Sequence, residues 1–280
     1  VEIEYQRRIK MPSTINTNMA SLNAQRNLSS SQGALHTSLQ RLSSGMRVNS
    51  AKDDAAGMAI ASRMESQIRG LNQSVRNASD GISLAQTAEG ALGAIQSNMA
   101  RMRELAVQGA NATSGSDIAS INAEFTQLNA ENTRVIGATS FNNISLLSQP
   151  VNQVFQVGAN STAGVDSLTI STASAITPTS TTLGDSAASS QAEIAKLDTD
   201  IAQVASARAL YGSIQSRFES VINNVQVASE NQSAARSRIM DTDYAAETAN
   251  LTRSQILQQA GTAMLAQANQ SPNSVLTLLR

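Results

Sequence analysis

The sequence predicts a mainly α protein: an elongated antiparallel helical bundle or coiled coil formed by the N- and C-terminal segments, with a small β-hairpin region in the middle of the chain. Three observations point there. Long stretches at both ends carry apolar residues at three- and four-residue spacing. Of the 280 residues 41% are apolar, but only 2% are aromatic and none is Trp, so the largest pieces of a deep core are scarce. Only 15% are charged, and much of the rest is Ala, Ser, Asn, Gln and Thr, which suits long helices meeting through shallow interfaces.

Composition also removes several classes of function. The formal charge of −1 gives no basic field for nucleic acid or an anionic membrane. The absence of Cys excludes disulfides, thiolate metal sites and thiol nucleophiles. No apolar run is long enough for membrane insertion. Residues 1–40 hold no ordinary secretory signal, so export is expected to use a route that does not read one. Val1–Lys10 are richer in charge than the Ser/Asn/Ala-rich residues after them, and Met11 has the place of a natural initiator. Residues 1–10 therefore read as a cloning or upstream-translation scar, with a genuine basic extension as the alternative.

The first helix is expected between Ile15 and Met46. Leu28, Leu35, Leu39, Leu42 and Met46 follow a heptad with one polar slot, and Gly45 is a plausible stop. A second helix opens near Asp53 and Asp54, whose carboxylates suit a first helical turn. Its seam is read as Met64, Ile68, Leu71, Val75, Ala78, Ile82, Ala85, Glu89 and Leu92, followed by Ile95, Met99, Met102 and Ala106. That phase change after Leu92 implies a stutter, and Glu89 alone breaks the seam. A continuous helix of some fifty residues would span on the order of 80 Å. A third helix places Ile118, Ile121, Phe125, Leu128 and Val135 on one face and stops at Gly137.

From about residue 141 to 171 the pattern is of short strands, with Val154, Phe155 and Val157 and then Leu168 and Ile170. Residues 171–190 are low in complexity and are expected to form a surface connection. Ser190 and Glu193 form a capping-box pattern for a fourth helix, with Leu197, Ile201, Val204, Tyr211, Ile214, Phe218, Val221 and Val225 on its seam. A final helix opens at Asp241, Asp243 and Glu247 and carries Leu257, Met264 and Leu265. Heptad seams at both chain ends are satisfied by pairing the N-terminal helices with the C-terminal ones.

The stretch from Ile15 to Met64, with RLSSG followed by NSAKDDAAG, resembles the amino-terminal region of bacterial flagellins. MRELAVQ (Met102–Gln108), FQVGAN (Phe155–Asn160) and QANQSPNSVLTLLR (Gln267–Arg280) match further motifs of that family in order. The chain resembles a short form with almost no variable outer domain. The resemblance implies a structural subunit that polymerises with copies of itself into the flagellar filament for motility. Residues 11–45 with 241–280 would form the inner tube, and 46–240 the helical rod with its hairpins. It further implies unfolded export through the flagellar secretion channel, with the export apparatus, an export chaperone, and cap and hook-junction proteins as partners. Assembly-interface positions are then Leu35, Leu39, Leu42, Met46, Leu257, Met264, Val275, Leu276, Leu278 and Leu279.

The resemblance also assigns Arg101, Leu105 and Glu124 to a patch recognised by Toll-like receptor 5, although Ala100 stands where that motif usually has Gln. Arg101 and Leu105 are four apart and so share a helical face. No enzyme is expected. His36 is the sole histidine, a surface or interface residue rather than a catalytic or metal-binding one, and the paired aspartates serve as helix caps rather than acid–base groups. Glu89 either reaches solvent or pairs with Arg208 or Arg217 from the returning helix. Two rival readings are a flagellin-like surface protein binding, for example, polysaccharide, and a hook–filament junction protein.

Overall fold

A computed structural model describes residues 17–111, 115–150, 152–162, 164–171, 176–184 and 186–277. These form five helices, α1 (Met19–Ser44), α2 (Ala55–Ala110), α3 (Gly115–Ala138), α4 (Ala187–Met240) and α5 (Tyr244–Thr277). Between α3 and α4 lie strands β1 (Ser140–Phe141), β2 (Ile144–Ser145), β3 (Asn152–Gln156) and β4 (Ser167–Ser171). The protein is mainly α with small antiparallel hairpins. It divides into two compact units, one of residues up to Arg63 together with those from Ala234, the other Met64–Ser233.

The terminal unit is organised by α1 and α5. Asn18 caps α1 by accepting the Ser21 amide at 3.0 Å, and Gly45 ends it with φ 70°. That left-handed turn is the expected stop, and a side chain there would be strained. After it, Met46 bridges to Asp241 in antiparallel fashion. The Arg47 amide donates to the Met240 carbonyl at 2.6 Å and the Thr242 amide to the Gly45 carbonyl at 3.0 Å. Val48, Ala61 and Met240 are buried beneath this bridge, with Met46, Met58 and Ile239 against them.

The expected helix starts shift slightly. Asp54, not Asp53, caps α2 by accepting the Gly57 amide at 2.8 Å. Asp53 lies in the preceding turn, where Oδ2 accepts the Asn49 and Ser50 amides and the Ser50 hydroxyl at 2.9–3.2 Å. Hydrogen bonds from Ser50 hold its carboxyl below the usual range. Asp243 caps α5 through the Ala245 amide at 2.9 Å, while Asp241 belongs to the bridge.

In the second unit α2 and α4 pair antiparallel, joined by Gln67 with Gln232, Asn72 with Ser229, Gln96 with Arg208, and Arg103 with Asp198. One buried line on α2 runs Leu71, Ser74, Ala78, Gly81, Ala85, Ala88, Leu92, Ile95, Met99, Met102, Ala106 and Gly109, with Leu84 and Leu105 buried beside it. Its steps alternate three and four without interruption, so the expected stutter is absent. Gly81 and Ala88 occupy slots that the sequence reading gave to Ile82 and Glu89. Gly81 is required there, because a Cβ would stand 2.5 Å from Phe218 Cζ. Glu89 sits at the edge of the seam, 3.6 Å from Arg208 and accepting from Gln215 at 2.8 Å. Of the two expected partners, Arg208 is the one it meets.

Helix α3 runs through Gly137 and is closed by Thr139, whose amide and hydroxyl both donate to the Val135 carbonyl. β1 and β2 join through Asn142 (φ 49°) and Asn143 (φ 64°), two successive left-handed residues that match the twist of a tight hairpin. β3 and β4 pair antiparallel with Val154 opposite Thr169. Leu168 and Ile170 face inward, and Phe155 meets Phe218 edge-on at 5.5 Å and 83°. These hairpins share one apolar cluster with α2 and α4, centred on Leu92, Ile95, Val204, Tyr211 and Phe218.

The stretch expected as a surface connection is more than that. Ile176, Ser180 and Leu183 are buried. The cap of α4 also differs from expectation. Ser186 and Ser189 exchange amide–hydroxyl bonds at 3.2–3.3 Å, a capping box one turn before the expected one. Glu193 is used elsewhere: its Oε1 accepts the Thr181 amide at 3.1 Å.

Candidate assembly surface

The facing lines of α1 and α5 follow heptads. On α1 the covered positions are Ser21, Ala24, Leu28, Ser31, Leu35, Ser38 and Leu42; on α5 they are Glu247, Leu251, Ser254, Gln258, Gly261, Leu265 and Ala268. Polar cross-links tie the lines together. The Asn18 side-chain amide donates to the Ala268 carbonyl at 2.7 Å, the Ser21 hydroxyl to Asn269 at 2.8 Å, and the Tyr244 hydroxyl to the Leu42 carbonyl at 3.4 Å. Glu247 is buried with its carboxylate 3.8 Å from Arg41. Few seam positions are large and apolar, so this pair buries little compared with an ordinary heptad interface.

The assembly positions expected from sequence therefore separate into two sets. Leu35 and Leu42 are half-buried in the seam, and Met46 packs into the bridge cluster. Leu39, Leu257 and Met264 lie off the seam and are 50%, 50% and 64% exposed. Ser38, not Leu39, fills the slot between Leu35 and Leu42. Val275 and Leu276, in the last turns of α5, and Leu278 and Leu279 lie outside the residues whose side chains are described. Met19, Leu22 and Ile256 are further exposed apolar residues that the sequence reading did not assign to assembly. Their signal was present: each is an apolar residue outside the heptad phase of its helix.

A shallow groove also runs along the pair, lined by Ala24, Leu28, Leu257, Ala260, Gly261 and Met264. Small residues on its floor let an apolar side chain approach the backbone closely. Burying a Leu or Met completely contributes about 1.5–3 kcal/mol. Leu39, Leu257 and Met264 together thus leave several kcal/mol of hydrophobic stabilisation unrealised in the isolated chain.

On the second unit Arg101 and Glu124 are brought together, Nε to Oε1 at 3.0 Å, with Arg101 also 3.0 Å from Glu104. The Glu124 hydrogen bond, followed by that from Glu104, holds the Arg101 guanidinium above its ordinary value. Leu105 does not share that exposed surface. It is 2% exposed, in a cluster with Met102, Ala106, Phe125, Leu183 and Leu197. Arg101 and Leu105 are about 40° apart around the helix axis, and the edge of the buried face falls between them. Beside this cluster Arg103 meets Asp198 at 2.7 Å, which raises the one and lowers the other.

Residues 15–151 match the bacterial flagellin N-terminal helical region, and residues 194–279 the bacterial flagellin C-terminal helical region. A flagellin of Halalkalibacterium halodurans is 46% identical over 271 residues, covering 95% of this chain and 99% of that protein. A flagellin of Bacillus subtilis is 42% identical over 302 aligned residues, covering 95% and 99%. The crystal structure of Bacillus cereus flagellin aligns with a TM-score of 0.48 at 34% identity, covering 57% of this chain and 94% of that one. Among the described residues no helix is long and apolar enough to cross a membrane.

Proposed function

Because this chain belongs to the bacterial flagellin family, we propose that its α1–α5 pair forms the inner layer of the filament, with subunits joined through the apolar positions the pair leaves uncovered. The protein is a structural subunit of the extracellular flagellar filament and serves motility. In the proposed arrangement residues 11–45 and 241–280 line the inner tube, and the α2–α4 pair with its hairpins forms the layer outside it.

The observation that carries this reading is the split between seam and off-seam residues. Leu39, Leu257 and Met264 stand outside the α1–α5 heptads and are at least half exposed. A lone helix pair with so small a seam is marginal in water. Burying its outer face against neighbouring copies supplies the missing stabilisation, so ordering of the terminal helices and polymerisation reinforce each other. A marginal pair also suits passage of the unfolded chain through the flagellar secretion channel, with the export apparatus and a chaperone as partners. The test replaces Leu39 and Met264 by Glu. Loss of filaments with an unchanged monomer circular-dichroism spectrum supports the assignment, and filaments of normal yield refute it.

A second reading concerns Toll-like receptor 5, and the exposed Arg101–Glu124 pair favours it. Contact would come from Arg101 and Glu124, with Leu105 holding α2 in place from beneath. A receptor-reporter assay on Arg101→Ala decides this, since unchanged signalling removes the surface pair from consideration.

A further inference from the structure

Residues 176–184 cross the second unit without helix or strand, and their bonding is unusual. Among the described residues, the segment makes one backbone–backbone hydrogen bond outside regular elements, from the Ile176 amide to the Leu147 carbonyl at 3.0 Å. Its other bonded amides end on side chains. Asp200 accepts the Thr179 amide at 2.9 Å, the Ser180 amide at 3.0 Å and the Thr179 hydroxyl at 2.8 Å. Glu193 accepts the Thr181 amide at 3.1 Å, and Asn122 of α3 accepts the Leu183 amide at 3.1 Å.

Asp200 and Glu193 stand two turns apart on the buried face of α4 and are 1% and 3% exposed. Carboxylates so deeply covered need several donors, and this segment provides them. Leu183, fully buried, drops between Met102, Leu105, Phe125 and Leu197. Closure has a cost as well. The Ser180 hydroxyl and the Asn129 side-chain Oδ1 are buried with no hydrogen-bond partner among the described residues. Each such atom weakens the closed state.

We propose that residues 176–184 are a latch, fastened by Asp200, Glu193 and Asn122, that opens as one piece while α2, α3 and α4 stay folded and then uncovers Met102, Leu105, Phe125 and Leu197. Side-chain fastening is the reason for opening apart from the helices. A strand shares its amides with a ladder and leaves only with that ladder, whereas these amides leave without breaking any helical hydrogen bond. The reason for opening as one piece is Leu183, whose withdrawal from the cluster pulls on a segment only a few residues long. The uncovered surface is apolar and flanked by the Arg101–Glu124 and Arg103–Asp198 pairs.

Amide hydrogen exchange on the full chain, resolved to single residues, tests the latch. In the unaltered protein the Thr179, Ser180, Thr181 and Leu183 amides are expected to share one opening constant, larger than that of α4 amides such as Val204. Asn122→Ala removes the Leu183 acceptor alone, yet should raise exchange at all four amides by about tenfold, the effect of one hydrogen bond. Ser180→Ala removes an unpartnered hydroxyl and should slow all four. A change confined to Leu183 in Asn122→Ala, or Val204 accelerating in step with the four, overturns the proposal.

Discussion

Gly261 of α5 lies directly over Leu28 of α1: a Cβ at Gly261 would stand 3.2 Å from Leu28 Cδ1 and 3.9 Å from Leu28 Cα. The two helices thus approach at this level because one lacks a side chain, and the approach sets the depth of the groove beside it. A methyl group meets only the tip of a flexible Leu, and Ala favours helix over Gly by about 1 kcal/mol. Gly261→Ala should therefore leave α1–α5 pairing intact. Gly261→Leu has to push Leu28 and its backbone away. We expect faster amide exchange along α1 in Gly261→Leu and lower filament yield, measured by sedimentation. Equal yields for the two variants would show that close approach is not required.

Leu105 and Arg101 should behave oppositely on truncation. Leu105→Ala leaves a void among Met102, Phe125 and Leu183, and should cost about 2–5 kcal/mol in urea unfolding. Arg101→Ala removes an exposed ion pair, for which about 1 kcal/mol or less is expected. A small loss for Leu105→Ala would mean that the cluster is open to solvent most of the time.

High pH offers a separate probe of the α2–α4 unit. Burial pushes the Tyr211 phenol up to about 12, and its hydroxyl donates to the Leu146 carbonyl at 3.2 Å. The folded state therefore holds this proton more tightly than the unfolded chain does. Its contribution to stability is complete below pH about 10 and is lost as pH rises towards about 12. Tyr211→Phe should be somewhat less stable at pH 7 and should flatten the decline between those values. The check is the denaturation midpoint of both proteins across that range. A parallel decline in both would assign the effect to other groups.

Much of the fold was legible in the sequence, and the parts that were not have a common cause. The helices, the Gly45 stop, the hairpins and the antiparallel pairing of the chain ends come from spacing and turn residues. Three and four both satisfy a helical seam, however, and neither hydrophobicity nor an even count of four and three selects the slot that is covered. The covered slots are Ser38 rather than the more apolar Leu39, Gly81 rather than Ile82, and Ala88 rather than Glu89, on which an even count lands. In each case a smaller residue faces the partner helix, because these helices pack closely. The stutter read after Leu92 was a product of the same choice. The caps failed differently. Ser186, Ser189 and Ser190 are all good N-cap residues, but the helix starts a turn earlier, so that the Ser190 amide and hydroxyl both donate to the Ser186 carbonyl, while Glu193 accepts from Thr181, a contact no local pattern contains. Burial of Leu105 was missed for a related reason, since Leu183 comes from a stretch whose composition suggested only a surface connection.

In the proposed filament the apolar residues outside the α1–α5 heptads hold subunits together. The decisive measurement is electron microscopy of purified protein under polymerising conditions, comparing the unaltered chain with Leu39→Glu/Met264→Glu. Filaments are expected from the unaltered chain and none from the variant, with equal helical content in the two monomers. Filaments of normal length and number from the variant would mean that Leu39 and Met264 do not hold subunits together.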